Sequence, residues 1–90
     1  MSQHLTKDDM VSYLTRLQAL QRMCFGRKET LRIDTYHVDN NSFGGVITVY
    51  FYKGDKIEDW YSFIETSMTK AEARENYITI MNKLKKEGWL

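Results

Sequence analysis

The sequence has no proline and a single cysteine, Cys24, among its 90 residues. Average usage of about 5% proline would give several, so its absence favours long uninterrupted helices and strands. One cysteine forms no internal disulfide and no multi-cysteine zinc site. Apolar runs stay well below the ~20 residues that span a bilayer, and no apolar leader follows the first ten residues. Neither a membrane span nor a signal peptide is predicted, and we expect a cytoplasmic protein.

The sequence also lacks an excess of charge of either sign, because 13 Lys and Arg residues nearly balance 12 Asp and Glu residues to give a net charge of +1. The hydrophobic share of 42% and the charged share of 28% are typical of a globular domain. At roughly 100–200 residues per domain, residues 1–90 form a single domain. A chain this short has a thin core, which oligomerisation commonly reinforces.

The first predicted element is a helix over about residues 7–25. Thr6 can cap its free N–H groups, although Asp9 stands where a capping box usually has Glu or Gln. Leu5 and Met10 have the spacing of a hydrophobic staple. Gly26 ends the predicted helix as a left-handed cap.

The last predicted element is a helix over about residues 70–87. Thr69 and Glu72 have the spacing of a capping box, and Gly88 is a C-terminal cap that would fold Trp89 back onto the helix. The apolar stripe of this helix comprises Ala73, Tyr77, Ile80, Met81 and Leu84.

Three strands are predicted between the helices, over residues 30–38, 46–53 and from residue 56 to about 64. Alternating and β-branched residues favour the strands. Gly54 and Asp55 fit a two-residue hairpin turn that pairs Lys53 with Lys56. An unbroken register then pairs Phe51 with Glu58, Val49 with Trp60 and Ile47 with Ser62.

That register divides the residues of the sheet between two faces. The more aliphatic set, taken as the core face, comprises Ile47, Val49, Phe51, Trp60 and Ile64. The opposite, aromatic set is predicted to form an exposed outer face with Tyr36, Val46, Tyr50, Tyr52, Ile57, Tyr61 and Phe63. Two amphipathic helices and one aliphatic sheet face predict an α+β fold. The expected architecture is a two-layer sandwich of order α-β-β-β-α, with an antiparallel three-stranded meander and both helices on one face.

No catalytic or metal-binding constellation is found in the sequence. Cys24 lies on the apolar stripe of the first helix, where a buried thiol is inert, and His37 is interpreted as a partly exposed structural residue. His4 and His37 lack metal-ligand spacing, and Gly44-Gly45 precedes a strand rather than a helix, unlike a phosphate-binding loop. We therefore predict a protein that is not an enzyme and has no cofactor and no metal.

The outer aromatic face favours a protein-interaction module, with a homodimer as the simplest form, because tyrosine is enriched in protein interfaces. An exposed tyrosine ladder also arises from strand propensity alone. The alternative function is a nucleic-acid-binding accessory module that stacks bases on the open sheet. Its candidate basic contacts are Arg22, Arg27, Lys28, Arg32, Lys83, Lys85 and Lys86, although the net charge is small for such a function. No membrane association is expected.

The predicted element order resembles that of double-stranded RNA-binding domains over most of the chain. That family has a run of lysines at the start of its last helix, where this chain has Thr69-Lys70-Ala71-Glu72-Ala73-Arg74. It also has a Gly-Pro-x-His-type loop between its first two strands, whereas residues 39–45 contain neither proline nor histidine. The resemblance therefore concerns the order of elements and assigns no RNA-binding residue.

Overall fold

The computed structural model describes residues 3–24, 32–40 and 44–88, of which residues 24, 32–40 and 44 are described by their backbone alone. The fold is α+β, as predicted, with two helices and an antiparallel sheet. The elements are α1 (Lys7–Cys24), β1 (Arg32–Asn40), β2 (Gly44–Lys53), β3 (Lys56–Ile64) and α2 (Lys70–Lys86). The predicted roles of Gly26 and Trp89 lie outside the described residues.

Helix α1 begins with a reciprocal pair of hydrogen bonds between Thr6 and Asp9. The Asp9 backbone N–H donates to Thr6 Oγ1 at 3.2 Å, and the Thr6 backbone N–H donates to Asp9 Oδ2 at 3.0 Å. Asp9 thus has the role that Glu or Gln usually has in a capping box. Leu5 and Met10 are both buried in the core, as expected of a staple.

Helix α2 has the capping box that its sequence predicts. The Glu72 N–H donates to Thr69 Oγ1 at 3.1 Å, and the Thr69 N–H donates to Glu72 Oε1 at 3.0 Å. At the other end, Gly88 has a φ of 79°, in the left-handed region that favours glycine. Ala73, Ile80 and Leu84 are buried, and Tyr77 and Met81 pack against the core.

The β2–β3 hairpin turns through Gly54 and Asp55, with Lys53 opposite Lys56 as predicted. Gly54 has a φ of 64°, which explains why glycine comes first in this turn. The predicted register is wrong beyond the turn, because a β-bulge lies next to the Phe51/Tyr52 step. Tyr52 pairs with Ile57 but Phe51 pairs with Asp59, which leaves Glu58 as the extra residue of β3.

The bulge exchanges the two faces of β3 beyond Glu58. Val49 lies opposite Tyr61 and Ile47 opposite Phe63, rather than opposite Trp60 and Ser62. Trp60 and Ile64, predicted for the core face, therefore lie on the opposite face of the sheet. This correction decides which residues form the candidate site.

The backbone of β1 pairs antiparallel with β2 on the side away from β3. Its register places Ile33 opposite Phe51, Asp34 opposite Tyr50, and Tyr36 opposite Thr48.

One core cluster joins side chains from both helices and from two strands. It comprises Leu5, Met10, Leu17, Leu20, Ile47, Val49, Phe51, Phe63, Ala73, Ile80 and Leu84. The three β2 residues of the cluster alternate along the strand, so they point to one side of the sheet. The other side of β2 and β3 is thus left uncovered by the helices.

A segment before α1 is tied to the start of α2, which the sequence did not suggest. The Leu5 N–H donates to the Met68 carbonyl oxygen at 2.9 Å, and the Lys70 N–H donates to the Gln3 carbonyl oxygen at 2.8 Å. The Thr66 N–H donates to the Leu5 carbonyl oxygen at 3.3 Å. Both helices therefore start from this junction and pack on one core.

Candidate interaction face

The candidate site is the side of β2 and β3 that faces away from the core, which we call the outer face. Alternation from the buried residues and the observed register assign eight residues to it. They are Val46, Thr48, Tyr50, Tyr52, Ile57, Trp60, Ser62 and Ile64. All eight are uncharged, and three of them are aromatic.

Trp60 dominates the outer face, with 60% of its surface exposed to solvent. It lies directly opposite Tyr50, whose ring lies 6.4 Å from that of Tyr52. Ile57, beyond the bulge and opposite Tyr52, is 47% exposed. A large exposed tryptophan among tyrosines and an isoleucine is typical of a surface that binds a partner.

The remainder of the outer face is smaller and internally paired. Thr48 and Ser62 lie opposite each other, with their hydroxyl oxygens 3.3 Å apart. Val46 lies opposite Ile64 at the end of the hairpin nearest α2. The face thus changes from large aromatic side chains near the hairpin turn to small side chains at its other end.

Four of the predicted interface residues meet on this face, namely Val46, Tyr50, Tyr52 and Ile57. Tyr36 is described by its backbone, which lies in register with Thr48. The predicted outer-face positions of Tyr61 and Phe63 are wrong, because the bulge turns both side chains toward the core. Phe63 is 0% exposed, and its ring lies 4.8 Å from that of Tyr13.

Tyr61 packs edge-on against Phe51, with ring centroids 6.0 Å apart and an interplanar angle of 85°. Its phenolic O–H donates to Asp59 Oδ2 at 2.8 Å. Burial, the hydrogen bond to Asp59 and the charge of that carboxylate together raise the pKa of Tyr61 to about 12. The tyrosine therefore stays a neutral hydrogen-bond donor in a structural role at neutral pH.

The candidate basic contacts do not all remain available for a ligand. Lys83 is largely covered: its Nζ lies 3.8 Å from Glu58 Oε2 and 5.4 Å from the ring centroid of Phe51. Arg22, Lys85 and Lys86 are exposed near the C-terminal ends of the helices. Arg27 and Lys28 lie outside the described residues, and Arg32 is described by its backbone.

Arg16, a basic residue of α1 outside the set of candidate contacts, lies over two tyrosines of the helical layer. Its guanidinium carbon is 4.7 Å from the ring centroid of Tyr13 and 4.8 Å from that of Tyr77. The contact joins α1 to α2 by cation–π attraction. A helical stripe with a tyrosine three residues before an arginine is the signal that could have indicated it.

In the described part of the chain, no three His, Cys, Asp or Glu residues lie close enough together to form a candidate metal site. Within the same residues, neither helix is long and apolar enough to cross a bilayer. Comparison with family models, with curated proteins and with solved structures gave no match. The outer face is therefore interpreted from its own geometry.

Proposed function

We propose that this protein is a non-enzymatic interaction module whose outer face binds the outer face of a second copy. The observation that carries the proposal is the exposure of Trp60 and Ile57 on a sheet side that the helices leave uncovered. The proposal takes β1 as completing a three-stranded meander of order α-β-β-β-α, with both helices on the far side of the sheet. The cytoplasmic location stays a prediction.

The uncharged outer face favours a second copy over a charged partner. Two identical faces bring like charges together only if they carry net charge, and the eight outer-face residues of β2 and β3 carry none. On β1, the register places Arg32 opposite Tyr52 and Asp34 opposite Tyr50, so this strand adds one charge of each sign. A two-fold axis through the face also lets each Trp60 pack beside the tyrosines of the other chain. Tryptophan and tyrosine are the residues that most often contribute strongly to binding free energy.

The dimensions of the sheet predict a modest affinity. Strands of 9 or 10 residues at about 3.3 Å per residue give a face about 30 Å long, and three strands about 4.8 Å apart give a width of about 14 Å. This footprint is small beside the ~800 Å² of accessible surface that each partner buries in a standard interface. We therefore expect a dimer with a micromolar dissociation constant rather than an obligate one.

Two isoleucines with the same exposure provide a matched pair of variants. Ile57 on the outer face and Ile78 on α2 are each 47% exposed. Ile57→Glu places a charge on each face of the dimer and should reduce the mass to that of one chain. Ile78→Glu adds the same charge elsewhere and should leave the dimer intact.

Analytical ultracentrifugation over a range of micromolar concentrations measures the outcome. The expected result is a concentration-dependent mass that approaches two chains in the unmodified protein and in Ile78→Glu, but not in Ile57→Glu. A mass of 10.7 kDa for the unmodified protein at every concentration would overturn the proposal. Equal loss of the dimer in both variants would also overturn it.

Base stacking on the outer face is the alternative function, favoured by exposed Trp60 and by Lys53 and Lys56, which flank the hairpin turn of the same two strands. Against it, Asp55 lies between these lysines, and Lys83 is paired with Glu58. Fluorescence titration with single-stranded oligonucleotides distinguishes the two functions when Trp89→Phe leaves Trp60 as the one tryptophan. Quenching whose affinity falls steeply with salt would favour nucleic acid, whereas the proposed dimer predicts no such binding.

A further inference from the structure

Along the edge strand β3, the backbone groups of successive residues alternate between pointing toward β2 and pointing away from it. In an antiparallel pair, residues of hydrogen-bonded pairs direct their N–H and C=O groups at the neighbouring strand, and residues of the intervening pairs direct them away. The Glu65 N–H donates to the Gly45 carbonyl oxygen at 3.0 Å, which sets this phase. Residues 59, 61 and 63 therefore bond to β2, whereas Trp60, Ser62 and Ile64 direct their backbone groups outward.

Each of these three outward residues has a backbone group already bonded within the chain. The Trp60 N–H donates to Asp59 Oδ1 at 3.0 Å. The Ser62 carbonyl oxygen accepts from Asn76 Nδ2 of α2 at 2.8 Å. The Ile64 carbonyl oxygen accepts from the Met68 N–H at 3.1 Å. An incoming strand would have to displace the bonds at the residues with which it pairs, and Ser62 is the central one of the three.

We propose that Asn76 and Asp59 keep the β3 edge closed against β3 of a second copy. An open strand edge is a template for pairing with another chain, and proteins commonly block it with charged side chains or cover it with a helix or loop. Asn76 does so from the helix, by placing its amide on the central carbonyl group of the edge. Asp59 does so from the strand itself, and its second carboxylate oxygen is held in place by Tyr61.

The closed edge restricts how two copies associate. Edge-to-edge pairing of two β3 strands would extend the sheet and could repeat without limit only if both edges of the sheet were open. Contact through the outer face, in contrast, closes on a two-fold axis after two copies. The role proposed for Asn76 and Asp59 concerns the edge and stands whether or not the outer face forms a dimer.

The test removes the Asn76 amide in a chain whose outer face is already disabled. Ile57→Glu serves as the background, so association by the outer face does not contribute to the measurement. Asn76→Ala in this background should raise the mass above one chain as concentration increases. Asn82→Ala makes the same chemical change at an exposed position of α2 and should leave the mass at one chain.

Amide hydrogen exchange at Ser62 locates the new contact. The Ser62 N–H is directed away from β2, so in the parent it should exchange rapidly at every concentration. In the Asn76→Ala variant it should exchange more slowly as concentration rises, because the N–H donates to the second copy. Circular dichroism identifies the folded fraction on which both measurements are made.

Two outcomes would overturn the closed-edge proposal. One is a folded Asn76→Ala variant whose mass and Ser62 exchange do not change with concentration. The other is association that Ser62→Pro, added to Asn76→Ala, fails to abolish although the chain remains folded. Proline removes an N–H that faces away from β2, so it blocks pairing at this edge without removing a backbone bond to β2. It also removes the hydroxyl contact with Thr48, so Ser62→Ala added to Asn76→Ala is the control and should leave the association intact.

Discussion

The phenolic O–H of Tyr61 donates to Asp59 Oδ2 at 2.8 Å, between two residues on the core side of the same strand. Residues two apart in a strand share one face, and the bulge at Glu58 places this pair on the core side of the sheet. The Asp59 carboxylate accepts from the Trp60 N–H at the strand edge, and the Tyr61 ring packs on Phe51, so the contact links the edge to the core. Removing either partner should therefore affect both the edge and the core.

Alkaline titration should detect this contact. The folded pKa of Tyr61 is raised to about 12 from an ordinary value of 10.0, with burial as the largest cause and Asp59 next. Its contribution to stability is fully present below pH 10 and is lost as pH rises through about 12, because the unfolded chain releases the proton first. Chemical unfolding at several alkaline pH values should show this loss, and Tyr61→Phe should reduce it. An unchanged pH dependence in Tyr61→Phe would contradict the assignment.

The bulge predicts effects of very different size for two aromatic residues of β3. Phe63→Ala removes a fully buried side chain and should lower the free energy of unfolding by about 3–5 kcal/mol. Trp60→Ala removes an exposed one and should change the free energy of the isolated monomer by about 0.5 kcal/mol or less. Urea unfolding at low concentration measures both. The register without a bulge predicts the reverse order.

Thr66 has a φ of 65°, in the left-handed region that a β-branched residue rarely adopts. Thr66→Gly relieves a strain of about 1–2 kcal/mol, offset in part by the greater entropy of glycine in the unfolded chain. We expect a net gain of about 0.5–1 kcal/mol in thermal or urea unfolding. Thr66→Ala keeps the Cβ and should gain less. Equal stability of the two variants would show that the backbone is not strained there.

The capping box of α2 should make stability depend on acid pH. The backbone hydrogen bond from Thr69 is the largest cause of a pKa of Glu72 that lies below its ordinary value of 4.5. The stabilising effect of the charged Glu72 is present above pH 4.5 and is lost as pH falls through the lowered pKa. Glu72→Gln should flatten this acid limb of the stability curve, measured by circular dichroism during acid titration. Lys85→Gln, an exposed change at the other end of the helix, serves as the control.

Thr69→Ala removes the other side chain of the same capping box, the Thr69 hydroxyl. It should lower the free energy of unfolding by about 1 kcal/mol at neutral pH, because the Glu72 N–H loses its acceptor. Urea unfolding measures this change. Thr79→Ala provides the comparison, since the hydroxyl of Thr79 bonds to the Glu75 carbonyl within the helix and caps neither end. A loss no larger than that of Thr79→Ala would contradict the role of the cap.

The helix starts and the hairpin turn were predictable because each depends on residues close together in the sequence. Thr69 and Glu72 determine the cap of α2, and Gly54 determines the turn. The start of α1 differs only in using Asp9, whose shorter carboxylate still reaches the Thr6 N–H.

The composition of the outer face was not predictable in the same way, because two registers bury the same kind of surface. Without the bulge, Trp60 and Ile64 enter the core, and with it, Tyr61 and Phe63 do. Hydrophobicity does not choose between these pairs, and no glycine marks the bulge at Glu58. The choice depends on packing between distant elements, such as Phe63 against Tyr13 of α1. The outer-face positions on β2 were therefore predicted, whereas those on β3 were partly exchanged.

The junction between the segment before α1 and the start of α2 has a consequence for synthesis of the chain on the ribosome. Leu5 is buried and donates its N–H to the Met68 carbonyl oxygen, so this part of the core lacks its partner until β3 and the following loop have left the exit tunnel. Helix α1 must wait with an apolar stripe uncovered while the strands emerge. Completion of the fold must therefore wait for the junction and for the buried residues of α2 that follow it, rather than proceed element by element from the amino terminus.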